Sequence, residues 1–546
     1  MLDRIEFPEL FFGLVAPIGV DLYETVQPLK VLLEGFDYVV RTIKVTDLFR
    51  DIDYCDVTLQ DKPSEARFNS YIEFGNRLRE ISGDKAICAS LVIDKIAKSR
   101  GDDLKERQHG EKVAYIIHQF KRKEEIDLLR TVYGKLFFQI SVYSSKGERA
   151  EAFSQRIARD HKSTDLDKYR ATADQLIKLD EDQEEDQNGQ RVRDVFHLAD
   201  FIINVDIPAS QSDQLDRFIK LIFGSTILSP TAIEYGMYMA KGASLRSLDL
   251  SRQVGAAIFS KRHEVITLGC NEVPKGGGGT YWTQSGSEDA RDFKWGSDPN
   301  DEKKRSLILD LFERLSANGL MDTDCVAKID EMLQHPAVKD SQLMDIIEFG
   351  RILHAEMSAL MDAARLGRAV QGATLFCTTF PCHICAKHIV GSGIDTVYFL
   401  EPYPKSAAFS LHPDSIEVEG SSRVHYANYK KTKFTHFYGI SPRRYRDFFE
   451  KSLRKNKVTG RSQDWLGPKN EPRPILDVKI AIYLPLERYV EEALQKNKSR
   501  ALEALAIAQK VQGALEQADI EETGVGYSDA SDSRPVEVDD SDLAAK

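Results

Sequence analysis

One arrangement constrains this chain more than any other: His354-Ala355-Glu356 and, further along, Pro381-Cys382-His383-Ile384-Cys385. One histidine and two cysteines, with a carboxylate two residues from the histidine, meet the needs of a catalytic zinc that keeps one coordination position for water. A purely structural zinc would need a fourth protein ligand, and His383 and His388 are the spare histidines nearby. A lone buried Cys or His is usually a core residue, but these residue types together at this spacing are not an accident of packing. Cys55, Cys88, Cys270, Cys325 and Cys377 lack paired spacing and read as inert thiols.

The neighbouring residues give the two groups a local structure. Met357 to Gly367 carries apolar Met357, Leu360, Met361, Ala364 and Leu366 at helical spacing, whereas Ala373 to Thr378 reads as a buried strand. Phe380-Pro381 then turns the chain, and a second helix is predicted from near Cys382 until Gly391 and Gly393 stop it. Both ligand groups are therefore expected at helix N-termini, where the positive end of the helix dipole and a metal together favour thiolate at Cys382 and Cys385. His354 is expected to bind as neutral imidazole, oriented by a further acceptor.

A chain of 546 residues is too long for one core. Its formal net charge of −12 argues against a surface that coats nucleic acid, while leaving room for a small basic pocket. Seven cysteines do not make a disulfide framework, which predicts a reducing, cytoplasmic setting. The start lacks a signal-peptide core, and the longest apolar run, Leu10 to Val20, is too short to span a bilayer. No membrane segment is expected.

The chain opens with an apolar segment, Glu9 to Val15, that enters Ala16-Pro17-Ile18-Gly19 and then an apolar-periodic helix. Strand, glycine loop and helix are the layout of a P-loop. Here Gly13 and Gly19 are the candidate loop glycines, Val20 stands where a phosphate-binding Lys belongs and Asp21 where a magnesium-binding Ser or Thr belongs. Phosphoryl transfer is not expected from such a loop; nucleotide binding stays open. Lys112 to Gln119, Lys135 to Val142 and Val195 to Asn204 are further strands, so the first domain, residues 1–215, reads as a degenerate P-loop kinase-like α/β domain with a parallel sheet. Past a helical stretch broken at Pro230, Gly276 to Gly279 form a costly glycine run. It is either a close approach to a ligand, with Lys275 meeting phosphate and Tyr281 or Trp282 covering a base, or a mobile surface turn. Residues 288–345 read as a helical insertion. Thr396 to Leu400 is a strand whose following loop offers Tyr403 and Lys405 for stacking and phosphate. Ile475 to Leu484 reads as another strand, Val490 to Gln517 as a charged helix, and 518–546 as a disordered acidic tail.

The H-x-E and P-C-x-x-C pair is the signature of zinc deaminases of nucleobases. Residues 216–450 resemble the deoxycytidylate deaminases in His354-Ala355-Glu356, the block Thr378 to Lys387, Gly393-Ile394, Ser251 to Ala256 and Asn271-Glu272. With the degenerate P-loop domain in front, nearly the whole chain resembles the bacterial anti-phage dCTP deaminases. The resemblance implies zinc held by His354, Cys382 and Cys385, proton transfer by Glu356, deoxyribose contact by Asn271, and phosphate contact by Arg252 and Lys405. It further implies a mixed five-stranded sheet between helices, a regulatory first domain answering to a nucleotide or RNA, an oligomer, and dCMP or dCTP as substrate. The competing reading is a tRNA or DNA deaminase, which must flip a base from a polynucleotide; the acidic chain offers no basic tract for one.

Overall fold

The computed structural model describes residues 3–101, 108–183, 186–207, 209–419, 426, 428–451, 454–455, 457–462, 465 and 472–523. Two six-stranded sheets organise them. Leu10–Val15 (β1) is apolar throughout and buried at every residue, as a central strand of a parallel sheet must be. Val39–Lys44 (β2), Val113–His118 (β3), Phe137–Tyr143 (β4) and Phe201–Asn204 (β5) join it, all parallel, in the order β2-β3-β1-β4-β5. The strand expected over Val195 to Asn204 divides: Val192–Phe196 is helical and only Phe201–Asn204 enters the sheet. A short antiparallel strand, Gly439–Ile440, closes the edge beside β5, so the sheet is mixed and takes its last strand from far along the chain. The helix Gln211–Ile222 runs past residue 215 and packs on the helix Tyr23–Glu34 of the same layer.

The second sheet contains Gly255–Phe259 (β6), Val265–Cys270 (β7), Thr374–Thr379 (β8), Thr396–Glu401 (β9), Ile416–Val418 (β10) and Thr432–His436 (β11). Its order is β10-β11-β9-β8-β6-β7, with β7 and β8 antiparallel to β6 and the rest parallel. The count is six rather than the five expected. The sixth is the three-residue β10, held at the edge by the buried side chain of Ile416.

Alternation along β6 separates two cores. Ala257 and Phe259 face the helix Ala232–Ser244 and merge with the apolar core of the first domain, whereas Ala256 and Ile258 face Ala355, Ala359, Cys377 and Cys385. One face of the sheet therefore joins the domains and the other carries the helices that begin at His354 and Cys382. Residues 288–345 form the expected insertion of helices with a small core of Ile308, Phe312 and Ile329. No strand forms over Ile475 to Leu484: Ile475 N donates to Ile222 O at 2.8 Å and Ile5 N donates to Val478 O at 2.7 Å without a continuing ladder. The helix Tyr483–Thr523 follows at once and packs on Ser64–Ser82 and Ile87–Lys98. The rest of the expected tail, 524–546, lies outside the described residues. No helix among the described residues is long and apolar enough to cross a membrane.

Candidate active site

The ligand groups sit at two helix N-termini. His354 is the N-cap of Ala355–Arg365, and Cys382 is the N-cap of His383–Gly391, its sulfur accepting from the Cys385 amide at 3.5 Å. Ala355 and Ala359 let the first helix lie flat on the sheet: a Cβ on Gly269 of β7 would stand 2.2 Å from Ala355 O and 2.5 Å from Ala359 N. That close approach sets the depth of His354 and Glu356.

His354 Nδ1 lies 3.3 Å from Cys382 Sγ and 3.3 Å from Cys385 Sγ. The three ligand atoms all fall within 4.8 Å of one another. Tetrahedral zinc with ordinary Zn–S and Zn–N bonds separates sulfur and nitrogen by about 3.6 Å, so the triad fits zinc after adjustments of a few tenths of an ångström. Cys382 is held down to about 4, chiefly by its hydrogen bond with Cys385 and also by His354, so a thiolate is already favoured here. Glu356 is 4% exposed and accepts from Cys385 Sγ at 3.4 Å. Burial pushes its carboxyl above the usual range.

Around the triad, the residues expected to meet substrate are braced by acids whose part the sequence did not disclose. The Asn271 amide makes three hydrogen bonds within the chain: Oδ1 accepts from Val254 N at 2.7 Å, while Nδ2 donates to Asp249 Oδ2 and to Arg252 O, each at 2.7 Å. It shapes the 249–254 turn from inside. Arg252 pairs with Glu401 at 3.1 Å and lies over the Tyr403 ring at 5.2 Å. Lys405 pairs with Asp345 at 2.5 Å, and His383 with Glu348 at 3.2 Å, so the end of the insertion is tied to the rim of the triad. Glu272, 1% exposed, accepts from Leu248 N at 3.0 Å and bridges through its backbone to Leu353, next to His354. None of Asp249, Glu401, Asp345 or Glu348 could be singled out beforehand, because an isolated acid carries no spacing signal. Tyr403 also lines a cavity of about 670 Å³ between the domains, with Phe380, Phe399 and the Ser144–Arg149 turn.

The glycine run is placed elsewhere. Gly278 packs against the Arg365 side chain at the C-terminal end of the helix, nine residues and about 14 Å along the axis from Glu356. Lys275 pairs with Glu288 at 3.1 Å. None of the described contacts of this run reaches the triad, and its glycines form the turn Pro274–Thr280.

In the first domain, Gly13 belongs to β1 rather than to the loop, and a Cβ there would strike the Phe137 ring. Gly19 is in the loop with φ of +99°, pressed against the Arg149 backbone. Asp21 Oδ1 accepts from Tyr23 N at 2.9 Å, a local support for the helix start rather than a metal position.

Residues 230–401 match the family model described as the cytidine and deoxycytidylate deaminase zinc-binding region. This segment, which holds the His/Cys/Cys triad, is similar to the zinc-binding region of cytidine and deoxycytidylate deaminases. The deoxycytidylate deaminase of Enterobacteria phage T2 is 44% identical over 54 residues, 10% of this chain and 29% of that protein. The ComE operon protein 2 of Bacillus subtilis is 42% identical over 53 residues, 10% and 28%. The chain thus spans less than a third of the length of these relatives. A mouse deoxycytidylate deaminase is 25% identical over 167 residues, 31% of this chain and 63% of that one. Among solved structures, the dCMP deaminase of cyanophage S-TIM5 in complex with dCMP and dUMP is similar at 19% identity and a TM-score of 0.20, covering 34% of this chain and 91% of that one.

Proposed function

We propose that this chain is a zinc-dependent hydrolytic deaminase of free deoxycytidine nucleotides, dCMP or dCTP, yielding the deoxyuridine nucleotide and ammonia. The observation that carries the reading is Glu356, buried and hydrogen-bonded beside a triad whose spacing suits zinc. His354, Cys382 and Cys385 would hold the ion, which when bound supplies Lewis-acid activation of water. The N-terminus of His383–Gly391 favours the Cys382 thiolate, whereas the hydrogen bond with Cys382 and burial push the Cys385 thiol well above its usual range, so Cys385 would give up its proton to a bound ion. Glu356 accepts the proton of the attacking water and returns protons to the base and the departing amine.

Free nucleotide is favoured over polynucleotide by the charge around the triad. Arg252 and Lys405 are each paired with an acid, Glu401 and Asp345, and the net charge is −12. Arg252 and Lys405 are 44% and 62% exposed, so their pairs are worth about 0–1 kcal/mol. A charge-assisted phosphate contact worth about 1.5–3 kcal/mol can displace them. The reading extends to an oligomeric enzyme that depletes the deoxycytidine nucleotide pool during phage infection; its support is the resemblance along the chain together with a first-domain loop that lacks the side chains of phosphoryl transfer.

The test is ammonia release from dCMP, dCTP, CMP, CTP, deoxycytidine and single-stranded DNA and RNA oligonucleotides. Turnover of dCMP or dCTP well above that of the nucleoside is expected. Preference for an oligonucleotide would overturn the reading. Plaque counts and dCTP levels in infected cells carrying wild type or Glu356→Gln test the physiological part.

A further inference from the structure

Residues 341–353 form a strap from the helical insertion to His354, irregular apart from the single turn Gln342–Asp345 and the bridge at Leu353. Asn300, buried at the start of the helix Pro299–Ala317, clasps it at two points: Nδ2 donates to Ile346 O at 2.9 Å, and Oδ1 accepts from Phe349 N at 3.2 Å. Ile347, between the two clasps, packs against the core that holds the triad. The backbone at Asp345 and Glu348 is therefore fixed, although neither residue lies in a long helix or a strand. The insertion's own core rests on Ile308, Phe312 and Ile329, so its folding does not turn on either acid.

Both acids are directed at the rim of the triad. Asp345 Oδ1 pairs with Lys405 Nζ at 2.5 Å, on a loop whose Ser406 Oγ donates to Pro381 O at 2.7 Å, one residue from Cys382. Glu348 Oε1 lies 3.2 Å from His383 Nε2, on the first residue of the helix that Cys382 caps. Asp345 is also one of four charges, with Arg252, Cys382 and Lys405, that bear on the Tyr403 hydroxyl. A lysine ammonium and an imidazole N–H are groups that a phosphate oxygen would take as donors. In this chain both already hold a carboxylate, and both carboxylates come from one strap.

We infer that Asp345 and Glu348 are specificity-determining residues that act against the substrate: internal anions, presented by the insertion, which a nucleotide phosphate must displace from Lys405 and His383. The inference rests on the deaminase reading and adds to it two residues that weaken nucleotide binding while leaving the uncharged nucleoside alone. Their side chains are 34% and 50% exposed, so each contact yields to a competing anion at small cost. Removing either acid takes away a competitor and a like charge together, so the affinity for nucleotide rises. Because the acids meet phosphate rather than the reacting base, the effect falls on KM and not on kcat.

The experiment compares the zinc-loaded full chain with Asp345→Asn and Glu348→Gln in steady-state deamination of dCMP, dCTP and deoxycytidine, and in equilibrium binding of dUMP, which carries a phosphate but no amine to lose. Each substitution should lower the nucleotide KM and the dUMP dissociation constant by about two- to fivefold. The kcat values, the kinetics with deoxycytidine and the melting temperature should stay at wild type. Nucleotide KM and dUMP affinity that are unchanged or worse in both variants, or an equal gain for deoxycytidine, overturn the inference and leave the deaminase reading standing. Wild-type protein that releases no ammonia from any free nucleotide overturns that reading, and this inference with it.

Discussion

Gly269→Ala isolates the packing that positions the metal ligands. Gly269 needs no positive φ, so the cost is steric alone. The new Cβ would lie 2.2 Å from Ala355 O and 2.5 Å from Ala359 N, both backbone atoms that cannot rotate away. Restoring ordinary contact requires the helix Ala355–Arg365 to retreat by about 1 Å, and overpacking of this kind costs about 1–3 kcal/mol. The smaller entropy of the unfolded alanine chain offsets about 0.4–1 kcal/mol, leaving a net loss of about 1–2 kcal/mol. The more telling effect is on metal. His354 and Glu356 ride on the displaced helix whereas Cys382 and Cys385 do not, and zinc sites tolerate errors of about 0.2 Å. Zinc per chain after dialysis and the melting temperature should both fall. Gly276→Ala is the control, since a Cβ there meets nothing within 4 Å. Gly269→Ala protein with wild-type zinc occupancy and melting temperature would refute the claim that this close approach sets the site.

Cys385→Ala should lose zinc outright and lower the melting temperature, because the buried Glu356 loses the thiol it accepts from and His354 loses one of its two sulfur neighbours; metal analysis and thermal melts check it. Neutralising Arg252 or Lys405 should raise KM for nucleotides several-fold to tenfold or more while leaving the slow reaction with deoxycytidine nearly unchanged; equal damage to both substrates would make these residues structural. The carboxyl of Glu419 is pushed up to about 8, chiefly by burial, so the folded chain binds its proton more tightly than the unfolded chain does. Its stabilising contribution is therefore full below the ordinary carboxylate range and is lost as pH rises through about 8. Melting temperatures between pH 6 and 9 should fall more steeply for wild type than for Glu419→Gln.

The triad and its helix N-termini were legible because zinc chemistry imposes residue type and spacing together, and the strands β1, β3, β4, β8 and β9 because their apolar runs are bounded by turns. What the sequence concealed is what long-range packing decides. Asn271, expected at the deoxyribose, also makes three hydrogen bonds to the 249–254 turn. Four glycines read as a ligand loop but rest on the far end of the helix at Arg365. Ile475 to Leu484 has strand composition, yet no neighbouring edge pairs with it before Tyr483 begins a helix. Asp180 opens the acidic run Asp180 to Asp186, whose composition alone suits a solvated segment, yet folding carries its carboxylate to the amide of Ile18.

The most direct measurement of the central claim is single-turnover release of ammonia from dCMP and dCTP by wild type and Glu356→Gln, with zinc counted per chain in the same samples. Both proteins should hold one zinc, and the substitution should slow ammonia release by a factor of at least about 100. Glu356→Gln protein that retains its zinc and turns over at the wild-type rate would contradict the assignment of Glu356 as the proton carrier, and with it the account of this site.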